Sequence, residues 1–472
     1  MSRFFLTTTL PYVNDRPHIG FALEIVQADA LARYRRLMGD EVFFNFGTDE
    51  HGSKIYRKAK EEGKEPQAYA DEYAKTFEEL KQSLNLSYDA FIRTTDPHHV
   101  AAAQEFWKRC KENGDIELRA YKTKYCVGCE LEKTDSALVE GKCPLHPNLE
   151  IEIIEEENYF FLLSKYNHKL LDFYKSHPDF VVPGYRLNEI ISLIEKERLQ
   201  DFSISRLAEK MPWGVPVPDD SRHVMYVWFD ALVNYISTLG WPENEANFNA
   251  FWPGLQFAGK DQVRQQAAMW QAMLMSAGLS NTKKIFIHGF ISVDGQKMSK
   301  SLGNVVYPEE LVKKYGTDAV RYYFLRHVHP FEDSDFSEEK FREAYNANLA
   351  NGLGNLVARV MKMVEDHAVQ TVLSKSNFSP MQNAMENFEF NDAMGFVWQR
   401  IQIADHRITT EEPYKVIKVD PVAGKAIIQF LVQDLFEIGH MLAPFMPETS
   451  RKILDAVASN KKPETLFPRL DS

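Results

Sequence analysis

The chain has few cysteines, no long apolar run and no surplus of basic charge, and each shortage narrows what it can be. Four cysteines in 472 residues are too few for a disulfide-framed secreted fold. The opening stretch MSRFFLTTTLPYVND lacks the basic start, apolar segment and small-residue cleavage site of an export signal. A reduced, cytoplasmic setting is therefore expected. No apolar run reaches the roughly 20 residues that a membrane-spanning helix needs. The formal net charge of −12 leaves no broad basic footprint for nucleic acid. An RNA partner would have to be met by local Lys and Arg side chains and by aromatic stacking surfaces. Tandem repeats and low-complexity tracts are absent as well.

What is present reads as an ordinary globular composition, 44% hydrophobic and 26% charged, long enough for two to four domains. FFLTTT at 4–9 reads as a buried strand. A Pro- and Gly-containing turn follows, then a helical pattern over about 21–37 and a second strand over 42–46. Strand, turn, helix and strand make a βαβ unit, which predicts a parallel doubly wound sheet. Helical patterns occupy about 66–84 and 97–113. From about Tyr121 the chain turns polar and turn-rich and carries three of its cysteines, so 117–213 reads as an insertion. Strands are expected again at 223–228, 257–260 and 284–290, with a helix over about 262–277. From about Glu338 the pattern is helical throughout. Leu349, Leu353, Leu356, Val360 and Met363 recur at the spacing of one helix face.

Two segments suit a polyphosphate. Pro17-His18-Ile19-Gly20 lies between a strand and a helix, where free backbone N–H groups favour an anion and glycine permits close approach. By itself such a tetrapeptide is usually no more than a capped turn. Lys297-Met298-Ser299-Lys300-Ser301 follows a tight Asp294-Gly295 turn and offers two ammonium groups. Alone it reads by default as a solvated basic turn. In Gly259-Lys260-Asp261, Asp261 can accept from sugar hydroxyls or simply cap the next helix. Cys126-x-x-Cys129 and Cys143-x-x-His146, 13 residues apart, place two soft ligands on each of two turns. Together they make a Cys3His set for structural zinc, with a disulfide as the alternative. Cys110 lies in a helical stretch and reads as a core thiol.

The order HIGF at 18–21, then KMSKS at 297–301, about 280 residues later, resembles the two signatures of the class I aminoacyl-tRNA synthetases. The cysteine–histidine insertion between them is similar to that of the methionine-type members. So are TLPY at 9–12, GTDEHG at 47–52 and YVWFDALVNY at 226–235. The resemblance spans nearly the whole chain. It implies that ATP, with Mg²⁺, and L-methionine are joined to methionyl-adenylate and the methionine is passed to the 3′ end of tRNA(Met). His18, Gly20, Lys297 and Lys300 would be catalytic, and Asn14, Gly259 and Asp261 would join them in holding ATP. Asp49 would hold the substrate ammonium. Leu10, Tyr12, Trp228, Ala231, Tyr235 and Gln266 would surround the side chain. Aromatic rings and a thioether suit one another, although the same aromatics are ordinary core material elsewhere. The chain departs from the family pattern at Phe21, which replaces a second His. It departs also at Gln265-Gln266, where an apolar residue and His are usual, and at Leu232, which replaces a Pro of some relatives.

Asn351, Asn355 and Arg359 fall at intervals of four on one helical stripe, a solvated polar face unless it reads RNA. The resemblance implies that Asn355 and Arg359 read the anticodon, with Tyr414 stacking where relatives place a Trp. The expected architecture is a Rossmann-type α/β catalytic domain at 1–116 and 214–291, split by a zinc-bearing insertion at 117–213. A connecting domain at 292–340 and an all-α anticodon-binding bundle at 341–472 follow. A monomer is expected, with no further tRNA-binding domain and no membrane association. The rival readings are a class I synthetase for another amino acid, a catalytically silent tRNA-binding protein, and a small-molecule nucleotidyltransferase.

Overall fold

The protein is described by a computed structural model covering residues 2–470, except Thr134, Lys300, Ser301, Val372 and 375–377 and the side chains of Tyr121, Glu132 and Ser136. It comprises two compact units. One is built from the segment ending at Pro17 with Glu41–Glu79 and Tyr88–Ile287. The other is built from His18–Asp40, Leu80–Ser87 and the chain from His288 onward.

The first unit is organised by a six-stranded sheet of β1 (Arg3–Thr7), β2 (Glu41–Thr48), β3 (Ala90–Arg93), β4 (Val181–Val182), β5 (Leu255–Gly259) and β6 (Lys284–His288). The strand order is β3-β2-β1-β5-β6-β4. β1 runs parallel to β2 and β5, β2 to β3, and β6 to β4. Phe5, Leu6, Phe44, Phe257, Ile285 and Phe286 are all buried, the near-continuous apolar filling of strands covered on both faces. Because β1 is flanked by β2 and β5, the direction of winding reverses there. The carboxyl ends of those three strands therefore form the crevice where such sheets take ligands. Leu10 and Tyr12 follow β1, Asp49 follows β2 and Asp261 follows β5. The short β4 comes from the segment between the two halves of the sheet and pairs Val181 with Ile285.

That intervening segment also builds a four-stranded sheet, in the order Leu131–Lys133, Ile116–Cys126, Glu152–Phe161, Phe202–Ser203. Its long antiparallel ladder runs from Ile116 opposite Phe161 to Tyr125 opposite Glu152.

Two expected elements come out differently. The strand expected at 223–228 stops at Met225 and pairs antiparallel with Ser205–Leu207, and Val227–Ala231 is helical. Nearly every residue from His223 to Ser237 is buried, so the apolar aromatic run carried no period that could separate a buried strand from a buried helix. The helix expected over 262–277 is a tight turn at Lys260–Gln262, a π-helical turn at Gln265–Met269 and an α-helix at Trp270–Ser276. A π turn inserts one extra residue, and such turns collect at functional sites.

The second unit is helical. Ile19–Leu37 belongs to it, together with Thr317–Arg326, Phe390–Glu411, Pro421–Leu442 and Pro447–Ser459. Several of its helices open on proline, whose fixed φ and missing N–H suit the first turn. Leu349, Leu353, Leu356, Val360 and Met363 are all buried, although Tyr345–Gly354 is π-helical before Asn355–His367 becomes α-helical. At the centre lies a wholly buried guanidinium. Arg321 meets Asp29 at 2.7 Å and donates to the carbonyls of Phe445 at 2.8 Å and of Leu84 and Pro444 at 3.1 Å. Among the described residues, no helix is long and apolar enough to cross a membrane.

Candidate active-site residues and metal centre

Two tight turns assemble the metal-ligating set. Cys126 ends its strand and Cys129 follows in the next turn. Cys143 and His146 share a second turn closed by the His146 N–H on the Cys143 carbonyl at 3.0 Å. The four ligand atoms lie within 4.8 Å of one another. Nδ1 of His146 is 3.2 Å from Cys129 Sγ, 3.9 Å from Cys126 Sγ and 4.0 Å from Cys143 Sγ. The Cys129 and Cys143 sulfurs are 3.5 Å apart. A tetrahedral zinc site has edges of about 3.5–3.8 Å, given Zn–S and Zn–N bonds of about 2.3 and 2.0 Å. The donor set therefore fits zinc, and all four cysteines are free thiols. Gly128 is required: a Cβ there would stand 2.5 Å from Cγ of His146. Cys110 is buried in the core, and burial pushes its thiol up to about 12.

Beyond the ends of β1 and β2 the backbones stay paired. The Asp49 N–H donates to the Pro11 carbonyl at 2.9 Å and the Val13 N–H to the Asp49 carbonyl at 3.3 Å, which sets Tyr12 beside Asp49. Asp49 is buried, and its Oδ1 has no hydrogen-bond partner. Burial, then the nearby carboxylates of Asp230 and Glu130, push its pKa well above the usual range. Such a group is stabilised by an arriving cation. Tyr12 and Trp228 are half-buried and pack against Tyr125, Tyr226 and Val227, and the indole Nε1 of Trp228 is buried without an acceptor. Ala231 and Tyr235 are buried. Gln266, on the π turn, donates from Nε2 to the Tyr235 hydroxyl at 2.7 Å, while its Oε1 is buried without a donor. Leu10 and Asn14 are half-buried on the stretch after β1. Gly259 is buried at the end of β5. Asp261 is exposed one residue into the next turn, where Gly259 holds the capping position, so Asp261 is not the cap.

The two phosphate-type loops belong to the second unit and meet there. The Ile19 N–H donates to the Val306 carbonyl at 3.0 Å. His18 caps the Ile19–Leu37 helix, its Nδ1 accepting from the Gly20 N–H at 3.0 Å. An accepting Nδ1 puts the proton of the neutral imidazole on Nε2. A Cβ at Gly20 would fall 2.7 Å from Cε1 of His18, so glycine keeps that ring seated. Phe21 packs on the imidazole, ring centroids 4.5 Å apart. At the second loop, Asp294 and Gly295 both take positive φ, 50° and 74°, and Val293 and Gln296 exchange backbone hydrogen bonds. This is the tight turn expected of Asp-Gly. The Gly295 N–H donates to Asp335 Oδ1 at 2.7 Å, which holds that carboxyl below the usual range. Asn304 accepts from the Ser299 N–H at 2.8 Å and donates to the Lys297 carbonyl at 3.2 Å. Lys297 is exposed, and Lys300 lies outside the described residues.

The family described as tRNA synthetases class I (M) matches residues 4–151 and 147–361. The methionine–tRNA ligase of Nostoc sp. is 44% identical over 95% of this chain and 89% of its own length. That of Thermotoga maritima is 40% identical over 98% and 76%. The chain belongs to the methionine type of the class I tRNA synthetases. Among solved structures, Mycobacterium tuberculosis methionyl-tRNA synthetase in complex with methionyl-adenylate superposes with a TM-score of 0.91 at 35% identity, covering 100% of this chain and 99% of that one.

The expected RNA-reading residues of this methionine-type chain lie in the second unit. Asn351 and Asn355 are exposed. Arg359 is half-exposed and paired with Asp405 at 2.8 Å. Tyr414 is 42% exposed, its hydroxyl donating to Glu412 at 3.2 Å. Several residues that sequence reasoning passed over support the candidate pocket. His51 Nδ1 lies 3.1 Å from Asp230 Oδ2, and His99 lies 3.9 Å from the same carboxyl. Burial pushes Asp230 up, but the two imidazoles outweigh it and hold the group below the usual range. Glu50 is wholly buried and takes Arg93 at 2.6 and 2.8 Å with Thr48 and Thr95 at 2.6 Å. His51, Glu50 and Asp230 sit inside the quoted strings, but nothing local signals that residues 179 apart pair. Asn304, three residues past KMSKS, carried no signal at all.

Proposed function

We propose that this chain activates L-methionine with ATP to methionyl-adenylate and pyrophosphate, then transfers methionine to the 3′ end of tRNA(Met) and releases AMP. The observation that carries the reading is the buried carboxyl of Asp49, one oxygen without a partner, beside Tyr12, which packs on the same aromatic cluster as Trp228. An α-ammonium beside that carboxylate would replace the hydration that burial removes. The thioether would lie among the Tyr12, Trp228 and Tyr235 rings, with Leu10, Ala231 and Gln266 completing the enclosure. Gln266 donates to the Tyr235 oxygen, which holds that ring in place beside the proposed thioether.

Activation is in-line attack of the methionine carboxylate on the α-phosphorus, and positioning and charge neutralisation dominate such transfers. His18 would donate from Nε2 to a phosphate oxygen, and Gly20 admits the nucleotide close to the backbone. Lys297 and Lys300 would offset charge on the departing pyrophosphate. Asn14 would support ATP binding, and Gly259 and Asp261 would hold the ribose. Mg²⁺ accompanies ATP. Cys126, Cys129, Cys143 and His146 would hold one zinc ion, whose four protein ligands leave no open position for chemistry and give it a structural role.

In the helical unit, Asn355 and Arg359 would read anticodon bases and Tyr414 would stack on one. Arg359 would exchange Asp405 for a base edge. The domain roles follow: catalysis at 1–116 and 214–291, the metal insertion at 117–213, the loop-bearing connector at 292–340 and anticodon binding from 341. We take the enzyme to act as a cytoplasmic monomer. ATP–pyrophosphate exchange driven one amino acid at a time tests the activation step. Methionine should drive it. Exchange with leucine or valine alone would assign another substrate, and no exchange with any amino acid would make the chain a tRNA-binding protein without catalysis.

A further inference from the structure

The residue next to the second cysteine of the metal set is unusual in three ways. Glu130 takes a positive φ of 49°, the left-handed region that non-glycine residues avoid. Its side chain is wholly buried. Its carboxylate leaves the metal turn to bind a different element: Oε1 accepts from the Lys54 backbone N–H at 2.7 Å and the Ser53 hydroxyl at 3.0 Å.

Those two donors open the helix Ser53–Glu61, whose own capping residue is Gly52 and has no side chain to offer. Helix starts leave N–H groups unsatisfied, and here a residue of the metal turn satisfies one, 76 positions along the chain. Gly52 is part of the same fit, since a Cβ there would stand 2.7 Å from Glu130 Oε2. The helix start is also the end of the loop that carries Asp49, Glu50 and His51. The Glu130 carboxylate is near enough to Tyr12 to help raise the pKa of its buried phenol, and the Lys54 ammonium, one residue into the helix that Glu130 caps, lies 5.5 Å over the Tyr12 ring. One carboxylate carried by the metal turn thus caps the helix that ends the Asp49 loop, and that helix places Lys54 over a ring of the candidate amino-acid pocket.

We infer that Glu130 is a positioning residue that ties the fold of the cysteine–histidine turn to the methionine pocket, so that metal-dependent order in that turn sets the placement of Asp49 and Tyr12. This inference rests on the methionine-binding reading given above. Glu130 itself touches neither substrate nor metal. Without its carboxylate, the Ser53–Lys54 start of the helix loses its cap, and the Asp49 loop keeps its strand pairing with Pro11 and Val13 and the contacts of Glu50 and His51 but loses the tie to the metal turn.

The test is a set of methionine titrations read by tryptophan fluorescence, which requires no turnover. They are run on the wild-type enzyme, Glu130→Ala, Glu130→Gln and Ser53→Ala, each also after zinc removal by a chelator, with bound zinc counted by atomic absorption. Glu130→Ala should keep one zinc per chain, weaken methionine about 10-fold and leave the dissociation constant for ATP, titrated the same way, within a factor of two. Glu130→Gln keeps an acceptor oxygen for Lys54 N–H and should recover most of the loss. Ser53→Ala, which leaves Glu130 in place should Glu130→Ala fail to fold, should weaken methionine about 2- to 3-fold. Stripping zinc from wild type should weaken methionine about as much as Glu130→Ala does. Stripping it from Glu130→Ala should add little, the non-additivity of two changes on one linkage. Unchanged methionine affinity in Glu130→Ala, an equal loss for ATP, a loss of zinc by the variant, or full additivity with zinc removal would each overturn the inference. A wild-type enzyme that fails to bind methionine would instead overturn the methionine-pocket reading, and this inference with it.

Discussion

Replacing Gly128 by alanine tests the metal centre with one methyl group. The added Cβ would stand 2.5 Å from Cγ, 2.6 Å from Cδ2 and 2.9 Å from Nδ1 of His146. Non-bonded carbons settle at about 3.5–4.0 Å, so the imidazole must retreat by about 1 Å or the turn must open. Metal–ligand distances tolerate about 0.2 Å. A retreat of that size takes Nδ1 out of a sphere in which it now sits 3.2–4.0 Å from three sulfurs. The remaining three thiolates still bind zinc, with a solvent oxygen as fourth ligand, so the expectation is weaker binding rather than none. Disturbing a support of a ligand costs about 10–100-fold in metal affinity, and displacing the ligand itself should reach at least the upper end. The assay is competition for zinc against a chromophoric chelator at fixed pH, with circular dichroism to check that the rest of the chain stays folded. A Gly128→Ala protein that holds zinc as tightly as wild type would refute the assignment of His146 as a ligand.

Four further outcomes are expected. Gln266→Ala and Tyr235→Phe each break the buried 2.7 Å hydrogen bond. Each should cost about 1–3 kcal/mol of methionine binding, seen as a raised KM for methionine in pyrophosphate exchange, and the double variant should cost less than the sum. Because the pKa of Asp49 is raised by burial and by the Asp230 and Glu130 carboxylates, it protonates at a pH above the usual value of about 4. Methionine affinity should therefore fall with falling pH sooner than for an ordinary carboxylate, and Asp49→Asn should bind weakly with that pH dependence gone. A wild-type affinity flat down to pH about 4 would contradict it. Asn304→Ala frees the Ser299 N–H and the Lys297 carbonyl, so kcat for exchange should drop about 10-fold, of the order expected when a catalytic group is mispositioned, while the methionine dissociation constant stays put. Arg321→Met leaves Asp29 buried with Arg33 as its one remaining cation within 2.7 Å. Breaking a buried pair costs about 3–5 kcal/mol, visible as a lower urea midpoint.

Much of this protein is legible in the sequence because its chemistry is packed into short strings. The metal set needs only two turns, and the spacing of Cys126, Cys129, Cys143 and His146 specifies both. The Asp294-Gly295 turn and the cap at His18 depend on residues within four positions of one another. The apolar runs of β1, β2, β5 and β6 announce buried parallel strands for the same local reason. Reading failed where a local signal had two meanings. The aromatic run from Tyr226 is strand-like by composition, and because it is buried almost throughout it carries no spacing that would mark the helix. The π turns at Gln265–Met269 and Tyr345–Gly354 are invisible to a pattern that assumes 3.6 residues per turn.

The sequence by itself settled which groups are available: a soft-ligand quartet, two anion-suited loops, and strings whose carboxylate and aromatic residues resemble a methionine site. Only the tertiary structure decided which of them meet. Asp49 stands beside Tyr12 because backbone pairing runs on past β1 and β2. Asp230 finds His51 across 179 positions, and Arg321 reaches Leu84 across 237. Glu130 leaves its own turn to cap a distant helix. Turn chemistry acts over a few bonds and is written in neighbouring residues. Burial makes an unpaired charge or N–H costly wherever its partner lies along the chain, and only the folded packing supplies that partner.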